Sequence, residues 1–495
     1  MSESELRLQA MILEYFSMPH TIHIHKIDDD SMLQIFGHRR LQDGDNWHLR
    51  HTWRRLAQVC RRWRYLIYRS TSQLDMCLLL TNNSPSMDTL SHLPPLPLVI
   101  NYSDKTATLA RKDEDNIYLG LQRHGRVRRV ALLAPSSSLR MLLEPMNKPF
   151  PRLEDLSLLS TTTEEMSPVL PETFRAPFLR RLSLHGIGLP KGLSLLSSMV
   201  TLSTLSLIHI RDSCYFPPGH LVKQLQCLPC LEELSIGFAI PIPLPSSEGE
   251  LLPTPIPPVT LPTLRRLTFR GVSVYLDNLV AQINTPVLEH LSLTLLFELI
   301  FTFVNLTKFI HRTEGFRFLV FRAIFNKDGA SIDASTGKLS LHVNVNCKPL
   351  DWQIDSITQV FSALGEITST VEEFTLDVYA HQMPPDWENR RDNMLWHELL
   401  LPFIGVKKLQ IDFSLTFELS RVLESVAEGL VQEILPELQK LEVLQLEMYH
   451  GSKRLSGFFE TRESMGRPVR LLVPQMAHLQ ASPEVRASFS IFSTC

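Results

Sequence analysis

A few groups of residues have types and spacings that could do chemistry. His20, His23 and His25 lie close together, and imidazole nitrogens are common metal ligands. His23 and His25 alternate with Ile22 and Ile24, but no carboxylate or cysteine is placed beside them, which reads as a flexible flank. Cys227 and Cys230 form one CxxC. Structural zinc wants four ligands, and no second pair follows, so packing is the expected role. The segment HGIGLPKG, 185–192, has glycines at the wrong spacing for a dinucleotide fingerprint and is not a phosphate loop. There is no G-x-S-x-G elbow. Carboxylate pairs such as Glu164-Glu165 are too common to signify catalysis. The expectation is a non-catalytic chain with no cofactor and no metal.

What remains is charge and apolar surface carried on regular elements. The chain has 495 residues, 49 Lys+Arg against 52 Asp+Glu, and a net charge of −3. That balance gives no global basic field for nucleic acid. Apolar residues make up 44%, too many for a disordered chain. Seven cysteines are too few for a disulfide scaffold of this length. The N-terminal MSESELRLQA lacks the basic start and apolar core of a secretory signal. Reduced thiols in cytoplasm or nucleus are therefore expected, and Cys495 stands at the wrong place for prenylation. Residues 291–306, LSLTLLFELIFTFVNL, are too short and too polar to span a bilayer; two adjacent buried elements and no membrane partner are expected.

Residues 27–36, IDDDSMLQIF, place Met32, Ile35 and Phe36 at i, i+3, i+4, which predicts a short helix with acids at its start. After breakers at Gly37 and Gly44, the spacing predicts a second helix over Trp47 to Tyr68. Trp53, Leu56, Val59, Trp63 and Ile67 form its apolar stripe, and Arg54, Arg55, Arg61, Arg62 and Arg64 mostly fill the other arc. Over residues 24–70 this resembles an F-box, similar to those of F-box proteins of mushroom-forming fungi. Leu33, Ile35 and Phe36 match the L-x-I-F half; Val59, Cys60, Arg61 and Trp63 match V-C-R-x-W. The usual Leu-Pro opening is replaced by Ile27-Asp28, and the spacer is longer than in most members. The resemblance implies a helical module that packs on a Skp-type adaptor and through it joins a cullin-based ubiquitin ligase. Ile27, Leu33, Ile35, Phe36, Val59 and Trp63 are the implied adaptor contacts, with Val59 and Trp63 equally able to serve as internal core. The whole chain would then be a substrate receptor that holds a target protein for ubiquitin-dependent degradation. The alternative is an interaction scaffold whose helices only cap an array.

The 83 leucines carry the rest of the reading. A spacing Φ-x-x-Φ-x-Φ recurs as Leu153-Leu156-Leu158, Leu179-Leu182-Leu184, Leu202-Leu205-Leu207, Leu231-Leu234-Ile236, Leu264-Leu267-Phe269 and Leu288-Leu291-Leu293. It continues as Phe316-Leu319-Phe321, Val371-Phe374-Leu376, Val406-Leu409-Ile411 and Leu441-Leu444-Leu446. One step of 55 residues has room for a further strand over Lys338 to Val345. Prolines 151, 177, 229, 262 and 286 precede copies, as turn residues should. The pattern fits leucine-rich repeats, whose period is roughly 20–29 residues. The ninth position, however, reads Thr161, Ile187, Ile210, Ala239, Val272 and Leu296 rather than Asn or Cys.

The fold expected is α/β: a small N-terminal helical module over 24–80, then an irregular leucine-rich-repeat solenoid of parallel strands, short helices and loops over 126–450. Residues 1–23 read as a flexible N-terminus, 81–125 as a linker or first irregular repeat, 241–258 as a proline-rich loop, and 451–495 as a cap and tail. The fifth position reads Ser157, Ser183, Ser206, Ser235, Thr268 and Ser292, one polar stripe facing solvent. The third and seventh positions should flank it with Arg181, His185, Arg266, Arg270, His290 and Arg322, then with Glu373, Asp377, Lys408, Asp412 and Glu447. These are the candidate target-binding residues, expected to give a basic first half and an acidic second half.

Overall fold

The computed structural model describes residues 26–42, 52–70, 74, 76–82, 96–102, 109–162, 166–190, 195–239, 258–296, 298, 300–313, 317–379, 394–427, 433–444 and 455–472. The His20, His23 and His25 group, the proline-rich loop before Pro258, Phe316, Glu447, the N-terminal flank and the tail lie outside the described residues.

The chain is mixed α/β. Among the described residues three helices come first: α1 Asp29–Gln42, α2 Thr52–Val59 and α3 Arg61–Arg69. Each acid of the Asp28-Asp29-Asp30 run is near the start of α1, and two have defined tasks. Asp28 accepts from the Ser31 amide at 2.8 Å and the Ser31 hydroxyl at 2.7 Å. Those bonds hold its carboxyl below the usual range and satisfy a donor the helix leaves open. Asp29 accepts from Arg62 of α3 at 2.6 Å, and Arg62 also donates to the Ile27 carbonyl at 2.6 Å. The single helix expected over 47–68 is broken at Cys60, which is extended (φ −154°) and caps α3 by accepting from the Trp63 amide at 3.4 Å. Apolar spacing stays in phase across a one-residue break, so periodicity does not report it. Met32, Phe36, Ala57, Leu66 and Ile67 are buried in one core that runs on into the sheet.

The strands are β1 Leu78–Leu80, β2 Leu98–Tyr102, β3 Val127–Ala134, β4 Asp155–Ser160, β5 Arg181–His185, β6 Thr204–Ile210, β7 Glu233–Phe238, β8 Val259–Thr260 and β9 Arg266–Gly271. They continue as β10 Ile283–Asn284, β11 His290–Leu296, β12 Val320–Asn326, β13 Gly329–Thr336, β14 Leu339–Asn346, β15 Glu373–Val378, β16 Lys408–Asp412, β17 Lys440–Leu444 and β18 Arg470–Leu472. Sixteen of them form one sheet, in the order β1-β2-β3-β4-β5-β6-β7-β9-β11-β14-β13-β12-β15-β16-β17-β18; β8 and β10 pair separately. The sheet thus starts before residue 126 and runs past residue 450.

The fourth and sixth positions of the leucine pattern point inward. Leu156 and Leu158, Leu182 and Leu184, Leu234 and Ile236, and Leu267 and Phe269 are essentially inaccessible. The prolines sit in turns immediately before the strands, where a missing amide costs no ladder bond. Residues 291–306 are the strand β11 and the start of a helix, and among the described residues no helix is long and apolar enough to cross a membrane.

In most copies the carbonyl at the second position accepts two amides from the next. Arg180 O takes the Ser203 and Thr204 amides at 2.8 and 3.0 Å, Ser203 O takes Glu232 and Glu233, Glu232 O takes Arg265 and Arg266, and Arg265 O takes Glu289 and His290. The same pair of bonds recurs from Glu372 O to Lys407 and Lys408. The ninth position carries no amide ladder. Ile187, Ile210 and Leu296 are buried there instead, and Thr201 and Thr263 hydroxyls bond turn carbonyls of the preceding copy.

Two copies are read in the wrong register from sequence. In β12 the inward residues are Phe321 and Ala323, preceded by buried Phe318, while Leu319 is exposed. In β17 they are Leu441 and Val443, preceded by Leu438, because Leu441 lies opposite Leu409. Both segments offer several apolar residues in a row, so pairing with the neighbouring strand decides the register.

The 55-residue step holds the strand expected over 338–345, β14, and one more, β13. β13 is antiparallel to both neighbours, whereas β14 runs parallel to β11 and β12 parallel to β15. Gly329 begins β13, where a Cβ would meet the Val345 carbonyl oxygen at 2.1 Å; Gly337, at φ +58°, turns β13 into β14. Around this insertion, buried polar groups fix the helices α4 Ser273–Ala281, α5 Val304–Arg312 and α6 Leu350–Leu364. Buried Asp277 of α4 caps α5, accepting from the Asn305 and Leu306 amides at 2.7 and 2.9 Å. Gln353 of α6 donates to the carbonyls of Asn326, Cys347 and Lys348. Asp277→Ala should cost about 2 kcal/mol locally, seen as faster hydrogen exchange at Asn305 and Leu306; unchanged protection there would show that the cap is dispensable.

Candidate functional site

Strand alternation puts one side chain in two on the outer face, and the shared register turns those positions into rows. The middle row runs Ser157, Ser183, Ser206, Ser235, Thr268, Ser292, His342, Asp333, Arg322, Thr375, Gln410 and Glu442. The first six are the polar stripe read from sequence, and they are in register.

The row before it contains Arg129, Asp155, Arg181, Thr204, Glu233, Arg266 and His290. Its cations are not free. Arg181 and Arg129 both bond Asp155, at 2.9 and 2.8 Å, and Arg266 bonds Glu233. His290 Nδ1 lies 2.7 Å from Ser340 Oγ. Farther along, Arg322 bonds Asp377, and Lys408 bonds Glu442 at 3.0 Å. Burial opposes ionisation of Glu442, but bonds from Gln410 and Lys408 outweigh it and hold the carboxyl below its usual range. The expected division into a basic and an acidic half is therefore corrected to local pairing. Asp155 and Glu233 occupy the same third position as Arg181 and Arg266 in copies already aligned, so these partners were legible and were missed. Those pairs that are solvent-exposed, such as Arg266 with Glu233, add about 0–1 kcal/mol each to stability; together the pairs cancel the field a ligand would meet.

Two of the expected acidic residues are not available as a surface. Asp377 and Asp412 are both buried. Asp412 accepts from the Ser414 amide at 2.9 Å and the Ser414 hydroxyl at 2.6 Å, capping a short 3-10 helix over Phe413–Leu415. Glu373 is exposed.

The middle row also sets Ser292, His342 and Asp333 side by side on three strands, with His342 Nδ1 2.5 Å from Asp333 Oδ1. Nucleophilic catalysis needs the serine hydroxyl bonded to the other ring nitrogen and donors aimed at an oxyanion. No bond joins Ser292 to His342, and the neighbouring strand amides are committed to the ladders on both sides.

The remaining expected residues, His185 and Arg270, form a distinct group with His209, which alternation misses. β6 has an irregular register between Leu207 and Ile210, and His209 there adopts φ 56°. The extra residue turns its ring onto His185, with centroids 4.6 Å apart and 34° between planes. Burial, then His209 and Arg270, push the His185 pKa down to about 4. Burial, then Arg270 and Arg211, lower that of His209.

On the helical module, Ile35 and Val59 are exposed, at 52% and 60%. Ile27, Leu33 and Trp63 are half-buried. Phe36 is buried edge-on against Trp63, with centroids 4.9 Å apart, so this pair joins α1 to α3 and Phe36 offers little surface. Arg61, Arg64, Tyr65, Tyr68 and Arg69 line an open groove of about 540 Å³ on α3. Among the described residues no group of three His, Cys, Asp or Glu side chains could hold a metal ion. Cys227 is half-buried and Cys230 exposed. No protein-family model matches the chain, and a search of curated proteins finds no relative.

The histidine pair has a pH consequence. An unfolded histidine takes its proton near pH 6.5, whereas folded His185 resists until about pH 4. Its contribution to stability is therefore complete above pH 6.5 and is lost as pH falls from 6.5 towards 4. The melting temperature should drop over that window, and drop less in His185→Gln. An equal drop in both proteins would place the acid sensitivity elsewhere.

Proposed function

We propose that α1–α3 form an F-box and that the sheet and its crossings are an irregular leucine-rich-repeat solenoid. In this reading the chain is the substrate receptor of a cullin-based ubiquitin ligase. The single observation that carries it is the exposure of Ile35 and Val59, one from each half of the two-part motif, on a small helical module that precedes the edge strand β1 of the sheet. Exposed apolar residues on short helices suit helix-in-groove association with a partner's helices. The solenoid would then hold a target so that a lysine stays near the loaded conjugating enzyme, a proximity effect that asks for no catalytic side chain.

A second reading is favoured by the continuous core. Met32, Phe36, Leu66 and Ile67 belong to the same cluster as the strand residues Leu78 and Leu98. The helices could thus serve as the cap that a solenoid end requires, with no adaptor bound.

Capture of the Skp-type adaptor by the full chain separates the two. Ile35→Asp with Val59→Asp should abolish capture while leaving the melting temperature within a few degrees, because both residues are exposed. A folded wild-type chain that captures no adaptor sinks the receptor reading and leaves the cap.

A further inference from the structure

On the outer face, Arg129, Arg181, Arg266 and Arg322 each bond a carboxylate on a neighbouring strand. Exposed Arg270 of β9 has no such bond among the described residues. Its charge acts on the adjacent, tilted rings of His185 and His209. Between β6 and β9 runs β7, where the residue opposite Arg270 is Gly237. A Cβ on Gly237 would lie 3.2 Å from Ile208 Cδ1 and 3.5 Å from Arg270 Cβ. The missing side chain leaves room over β7 for Ile208 and the arginine stem, and the Arg270 charge is felt by both imidazoles. His209 is held in the left-handed region, a conformation uncommon outside glycine.

We propose that His185, His209 and Arg270 form a binding site for one oxyanion, a carboxylate or phosphate group carried by a protein partner laid on this face. It rests on the reading of the face as the partner-binding surface. Arg270 supplies a standing positive charge in a fork that suits planar oxyanions. Each neutral imidazole offers one N–H donor. Among the described residues, the charged groups that act on His185 and His209 are cationic: Arg270 from β9 and Arg211 beyond β6; the residues beside His185 on β4 and β6 are Leu159 and Ile208. A bound anion reverses that field, so the imidazoles gain protons as it binds and the complex tightens as pH falls. A divalent cation would meet the repulsion of Arg270.

The test is titration calorimetry of the full chain with sulfate, which keeps its charge between pH 7.5 and 5.5, and with acetate for the carboxylate source. Expected is sulfate or acetate binding accompanied by proton uptake and about tenfold tighter at pH 5.5. Arg270→Gln should weaken it tenfold or more, while His185→Gln with His209→Gln should keep binding at pH 7.5 but remove the proton uptake. Which anion binds better assigns the source as phosphate ester or carboxylate. Equal binding by Arg270→Gln, binding without proton uptake, or saturation by zinc alone overturns the site. If this pattern holds while adaptor capture fails, the site stands and only the receptor reading falls.

Discussion

The carbonyl at the second position of a copy is the interaction on which most of the sheet depends. In most copies it accepts two amides from the following one, so a parallel strand begins where the previous one dictates. A parallel strand has no hairpin to set its register, and a slip of one residue would turn every leucine outward. The double bond at the strand entrance prevents that slip. At the ninth position, where an asparagine ladder would stand, Ile187, Ile210 and Leu296 are buried, and Thr201 and Thr263 hydroxyls bond turn carbonyls of the preceding copy.

A fixed register has a consequence for the outer face. Residues at equal positions in successive copies become neighbours at strand spacing, close enough for ion pairs. Arg181 with Asp155 and Arg266 with Glu233 are such pairs, and they leave a polar face with little net field. In the proposed reading, recognition on such a face would use places without an ion pair among the described residues, such as the Arg270 and histidine group beside the β6 irregularity.

Much of this was legible in sequence. The leucine spacing marked most strands because an inward pair separated by one residue is what a half-buried strand needs, and the prolines marked turns because they cannot donate to a ladder. The serine stripe was legible for the same reason. The β12 and β17 registers were not, since FRFLVF and LEVLQL each offer several apolar choices and only the partner strand selects one. His209 was hidden because a bulge shifts the period by one. The break at Cys60 was hidden because apolar spacing continues across it.

The sequence by itself determined most of the residues that lie inside and where most strands of the leucine pattern begin, β12 and β17 excepted, because side-chain burial follows a local period that the chain carries in its own order. Only the tertiary structure decided that β13 reverses between β14 and β12 and that α5 is capped by Asp277 of another helix. These are contacts between distant segments, and their energies depend on distance and burial that no local pattern encodes.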